Sequence, residues 1–120
     1  VARVEDLTPE HFVEWGAAFV PQNLLGYAVR NAEGFLVCLG GLWIIEGKAW
    51  ATFDAKGDPP LIVHRLAVTL LKEAEKAGIT EVWAELDETK PKAKKWMERC
   101  GFVYTNNSDA VQIWRRVLNG

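Results

Sequence analysis

Between positions 63 and 86 the apolar period of the chain changes from helical to extended, and this switch restricts the fold more than any other feature. Val63, Leu66, Ala67, Leu70, Leu71, Ala74 and Ala77 recur at the i, i+3, i+4, i+7 spacing of one buried helix face, while Arg65, Thr69, Lys72, Glu73 and Lys76 fill the other. Gly78 supplies the stop. Positions 79–86 then alternate, with Val82, Ala84 and Leu86 on one side and Trp83 and Glu85 on the other. A strand over 48–54 precedes the helix. The resulting strand–helix–strand unit predicts that strand 79–86 lies parallel to strand 48–54.

The flanking sequence reads as follows. Thr8-Pro9-Glu10 is an N-cap, a first-turn proline and a first-turn acid. Phe12, Trp15 and Phe19 follow at helical spacing, with Gly16 and Pro21 closing the segment; positions 1–5 are too short to assign as a strand. Tyr27 and Val29 alternate, Asn31 to Gly34 form a turn, and 35–45 reads as a long apolar strand that turns at Glu46-Gly47 into 48–54. Gly40-Gly41 within that strand predicts a bulge or a close backbone approach. Positions 55–60 form a Gly/Pro loop. Pro91 opens a shorter helix with Ala93, Trp96, Met97 and Cys100 on its apolar side, ended by Gly101. Strands 102–105 and 110–118 close the chain as a hairpin around Asn106-Asn107-Ser108-Asp109. Strand 110–118 is left either as an exposed sheet edge or as the pairing strand of a homodimer.

Composition narrows the function classes. The 120 residues suit a single domain over 1–120, and 49% hydrophobic with 25% charged residues argues against disorder. No apolar run approaches the ~20 residues of a membrane span. The start, Val1 to Asp6, has no apolar stretch of the signal-peptide kind, so the expectation is a soluble cytoplasmic protein. A net charge of −2 and a pI of about 5.7 provide no global field for nucleic acid. Cys38 and Cys100 lie among apolar residues and read as buried thiols. With only His11 and His64 beside them, no metal-ligand spacing emerges. Six tryptophans imply an aromatic core or an aromatic binding surface; Trp43, Trp50, Trp83, Trp96 and Trp114 read mainly as core.

The stretch Ala93-Lys94-Lys95-Trp96-Met97-Glu98-Arg99-Cys100-Gly101-Phe102, with the helix to Gly78 and the strand to Leu86 at matching distances, resembles the GNAT superfamily of N-acetyltransferases. Ala93 and Trp96 match its small and aromatic positions, and Gly101-Phe102 its helix end before the sixth strand. Short GNAT-like proteins of tailed bacteriophages look most similar across 49–101. The resemblance implies an α/β (α+β mixed sheet) fold of about six strands with three helices. It further implies acyl-CoA-dependent acetyl transfer to a primary amine on a small molecule or protein. Strands 48–54 and 79–86 would splay to admit the pantetheine arm of acetyl-CoA, and helix-start amides would hold its pyrophosphate. Cofactor contacts are then expected from Thr52, Phe53, Lys56, Gly57, Val63, His64 and Arg65, and no metal.

Two departures accompany the resemblance. The family cradle Gln/Arg-x-x-Gly-x-Gly/Ala falls on Asp58-Pro59-Pro60-Leu61-Ile62-Val63, where an acid replaces a basic or polar residue and Leu61 and Val63 replace glycines. Side chains there are expected to crowd the phosphate, and the prolines remove two donors. Only Lys56, His64 and Arg65 supply compensating charge nearby. The family's usual tyrosine acid falls on Met97, which has no proton to donate; Tyr104 lies nearby in sequence. Asp54 is the candidate base, with Glu85 and Asp87 as rivals, and a solvated strand-end carboxylate is the alternative for each. Lys90, Lys92, Lys94, Lys95 and Arg99 form a solvated face or a docking patch for an acidic group. The departures leave a second function open: a non-catalytic phage structural or host-interaction protein of the same fold, associated with the virion.

Overall fold

The structure, a computed structural model, describes residues 2–22, 24–46, 48–57, 61–86, 91–109 and 111–118, with only the backbone of Pro91. The elements are β1 (Arg3–Asp6), α1 (Pro9–Trp15), β2 (Leu24–Arg30), β3 (Leu36–Ile45), β4 (Lys48–Ala55), α2 (Ile62–Lys76), β5 (Glu81–Leu86), α3 (Pro91–Arg99), β6 (Val103–Ser108) and β7 (Val111–Val117). They form one mixed sheet in the order β1-β2-β3-β4-β5-β7-β6. Among the described residues its only parallel pair is β4 with β5, as the strand–helix–strand pattern predicts. The described residues form three helices, and their sheet has seven strands rather than about six because the short Arg3–Asp6 segment pairs with β2.

The period-2 pleat decides which residues each helix covers. Ala49, Val82, Ala84 and Leu86 pack beneath Leu70 and Ala74 of α2 and Met97 of α3, together with Trp114 and Phe102. Leu42 is 2% exposed, and burying a leucine so fully contributes about 1.5–3 kcal/mol. On the opposite face α1 seats Phe12 against Leu7, Ala28, Leu36 and Leu39. The start of α2 has its own small core, Val63 against Val29 and Cys38, bordered by Ala55, Leu66 and Trp96.

Three expectations change. Helix α1 stops at Trp15, because Gly16 turns left-handed at φ 82°, so Phe19 lies outside the helix despite its spacing. The closing hairpin turns at Asp109 (φ 53°), and Asn106, Asn107 and Ser108 are strand residues paired with Ile113, Gln112 and Val111. Strand β7 is not an edge: it lies between β5 and β6 and pairs with both. Of the two readings of Gly40-Gly41, close approach is the observed one. A Cβ on Gly26 would sit 2.3 Å from the Gly40 carbonyl oxygen and 2.4 Å from Gly41 Cα. The bulge in this pair of strands lies instead between Val29 and Arg30.

Candidate functional site

Strands β4 and β5 are joined only through Ala49↔Val82, Trp50↔Trp83 and Ala51↔Ala84. Both continue beyond that point, each following its other neighbour. Thr52, Phe53 and Asp54 stay in register with Gly41, Gly40 and Leu39 of β3, while Glu85 and Leu86 stay with Ile113 and Gln112 of β7. The facing edges therefore part. Val63 shares a small core with Val29 and Cys38 against which Ala55 and Trp96 pack, and this seats the start of α2 over the same end of β4.

Alternation places Phe53 on the α2–α3 side of the gap and Thr52 and Asp54 on the α1 side. The ring of Phe53 lies 5.3 Å from that of Trp96 on α3, so the two form an aromatic wall along the gap. At the head of α2, Leu61 has helical angles (φ −58°, ψ −28°) and is fully exposed. No side chain of the described residues caps this end, and the first-turn amides of a helix have no acceptor within the helix itself. Val63, expected to crowd a phosphate, turns its side chain into the core and is only 7% exposed. His64 has a buried Nδ1 with no hydrogen-bond partner among the described residues. Arg65 is exposed and Gly57 is left-handed at φ 76° with open space around it. Lys56 places its ammonium 4.6 Å over the Trp15 ring, on the α1 side of the sheet. Asp58, Pro59, Pro60, Asp87 and Lys90 lie outside the described residues.

On the α1 side, Asp54 accepts a 2.8 Å hydrogen bond at Oδ2 from Trp15 Nε1 and a 2.9 Å bond at Oδ1 from the Ala55 amide. Together these hold the exposed carboxylate in the lining of a cleft of about 270 Å³. Its walls include Phe12, Trp15, Phe19, Leu39 and Trp43, and the Phe19 ring meets Trp43 edge-on at 5.2 Å. The alternation thus puts the side chains of Thr52 and Phe53, both expected cofactor contacts, on opposite faces of the sheet. Trp15, Phe19 and Trp43 were not singled out as site residues from sequence. Their only sequence signal was the high aromatic content.

The acid position remains empty of acids. Met97 is 7% exposed and packs in the main core. Tyr104 lies on β6, three strands from β4, or about 14 Å at a strand spacing of ~4.8 Å, and its hydroxyl donates to Asn107 Oδ1. Lys92, Lys94, Lys95 and Arg99 all lie on the exposed side of α3. Of the tryptophans, Trp114 is fully buried at 4% exposure, whereas Trp43, Trp50, Trp83 and Trp96 are half-buried.

A mixed sheet whose one parallel pair parts beside the first turn of a following helix is the GNAT acyl-CoA N-acyltransferase fold, and solved structures agree. An acetyltransferase of the GNAT family from Staphylococcus aureus Mu50 superposes with a TM-score of 0.76 at 10% identity, over 99% of this chain and 100% of that one. The ribosomal-protein-S18-alanine N-acetyltransferase from Escherichia coli gives 0.74 at 14% identity, over 100% and 96%. Spermidine N-acetyltransferase from Vibrio cholerae, in complex with CoA and spermine, gives 0.67 at 14% identity, over 97% and 95%. At such identities the likeness is one of fold. No family model matches the chain, and no curated protein matches it. Nothing in these comparisons links it to phage proteins. Among the described residues no helix is long and apolar enough to cross a membrane.

Proposed function

We propose that residues 1–120 act as a single acyl-CoA-dependent N-acyltransferase domain that transfers acetyl to a primary amine. The observation that carries this reading is the parting of β4 from β5 beside the start of α2. Acetyl-CoA fits the residues present on two counts. The open inner edge of β4 leaves peptide groups of Thr52, Phe53 and Asp54 free of β5, and the first-turn amides of α2 favour an anion. The inward turn of Val63 leaves that backbone unshielded by its side chain, and His64 and Arg65 add donors in the first turn. When bound, acetyl-CoA supplies the acyl group as a thioester. Phe53 and Trp96 line the gap on the α3 side and exclude water from it.

Asp54, held by Trp15, takes one proton from the bound ammonium so that the neutral amine can attack, and the second proton, shed as the C–N bond forms, leaves with the thiol. With methionine at position 97, the departing thiolate receives no proton from α3. An acyl-CoA donor also places the working protein in the cytoplasm.

A second reading, a non-catalytic protein of the same fold that docks a partner within a phage particle or infected host, is favoured by one observation. Met97, buried in the main core, leaves the family's acid position apolar.

Acetyl-CoA titration followed by melting temperature separates the two. Cofactor at about 100 times its Kd should add roughly 2.7 kcal/mol of stability. No shift at millimolar acetyl-CoA overturns the acyltransferase reading.

A further inference from the structure

The cleft at Asp54 has an uneven chemistry. Among the described residues that line it, Asp54 alone is ionisable, and the walls are mainly Phe12, Trp15, Phe19, Leu39 and Trp43. A carboxylate offers about four acceptor sites. Trp15 Nε1 and the Ala55 amide use one on each oxygen, so acceptor capacity remains for the donors of an ammonium. The same two bonds fix the carboxylate's orientation. The Trp15 ring already attracts a cation, the Lys56 ammonium at 4.6 Å. At about 270 Å³ the cleft lies just below the roughly 300–1,000 Å³ of drug-sized ligand sites, which suits one small molecule.

We infer that this cleft takes a primary amine borne on an aromatic body, with the ammonium on Asp54 and the ring against Phe19 and Trp43. The inference rests on the acyltransferase reading only in making that amine the acetyl acceptor. A polyamine gains less, because its chain has no ring to lay against Phe19 and Trp43 and the lining offers no second carboxylate among the described residues. An α-amino acid fits poorly too, because its own carboxylate would be brought against that of Asp54. The half-exposed Phe19–Trp43 edge pair offers a π-rich wall on which a ligand ring completes the stack.

The test is a tryptophan-fluorescence titration of the protein, without acetyl-CoA, using 2-phenylethylamine, spermidine and phenylalanine as probes. Phenylethylamine is expected to bind at least tenfold more tightly than either of the others. Asp54→Asn should weaken it at least tenfold. Phe19→Ala, at a side chain 63% exposed and therefore tolerant of truncation, should weaken it severalfold while leaving spermidine unchanged. Spermidine binding as tightly as phenylethylamine, an Asp54→Asn variant with unaltered affinity, or no saturable phenylethylamine signal overturns the inference. Acetyl-CoA binding is measured separately by melting temperature. Amine failure with cofactor binding intact sinks only this inference, and cofactor failure with amine binding intact sinks only the acyltransferase reading.

Discussion

Trp15 at the end of α1 donates its indole N–H to Asp54 at the end of β4, at 2.8 Å and across 39 residues of sequence. The bond crosses from a helix on one face of the sheet to the strand that parts from its neighbour. It therefore sets the direction of the one carboxylate in the cleft.

Replacing Trp15 by phenylalanine keeps most of the ring and removes the donor. The loss of one such bond costs about 1 kcal/mol, which in a domain of this size lowers the melting temperature by about 4 °C. Amine affinity should fall with it, since Asp54 is then free to rotate. A calorimetric scan and the phenylethylamine titration measure the two effects.

If Asp54 is the base, Asp54→Asn lowers kcat by about 10²–10⁴ while acetyl-CoA affinity stays the same. Turnover equal to the parent protein removes Asp54 from that role and directs attention to Glu85, exposed on the opposite lip of the gap.

Glu5 joins β1, α1 and β2. The Thr8 amide donates to His11 Nδ1 at 3.0 Å, so the ring proton sits on Nε2 and is donated to Glu5 Oε1. Arg30 Nε donates to the same oxygen at 2.9 Å, and its terminal nitrogens hold Glu14. The bond from His11, and then that from Arg30, hold the Glu5 carboxyl down from 4.5 to about 2. The folded state thus favours the ionised form. That stability is fully present above about pH 4.5 and is lost as pH falls toward 2. Glu5→Gln should flatten this limb of a stability–pH curve measured by urea unfolding.

Gly26→Ala should cost more than about 3 kcal/mol or abolish folding, because the new methyl meets the backbone of Gly40 and Gly41 at 2.3 and 2.4 Å. Gly40→Ala meets first the Phe53 ring edge at 3.1 Å, a side chain able to shift, and should be the milder change. Comparing urea midpoints of the two variants checks the order.

Burial pushes the Cys38 thiol up to about 11 and raises that of Cys100 as well. Both should resist iodoacetamide at neutral pH and react only when denaturant opens the fold, as counted by mass spectrometry.

Much of this fold was legible in local pattern. Helix α2, strand β5 and helix α3 follow from apolar residues repeating at the period of each element, and such repeats report a single buried face without reference to distant chain. Pattern failed where a neighbour or a backbone angle overruled it. Phe19 keeps helical spacing, but Gly16 ends α1 before it; Asn106 to Ser108 look like a turn, yet pairing with β7 keeps them extended.

The candidate site divides in the same way. Sequence alone determined that Asp54 ends a strand before a loop and helix, and that a parallel strand follows, because chain order and periodicity are local properties. Tertiary structure alone decided that β7 enters between β5 and β6, that Val63 turns inward, and that Trp15, Phe19 and Trp43 line one cleft with Asp54. Those outcomes depend on strand register and on which pleat face each helix covers, quantities fixed only when residues far apart in the chain pack together.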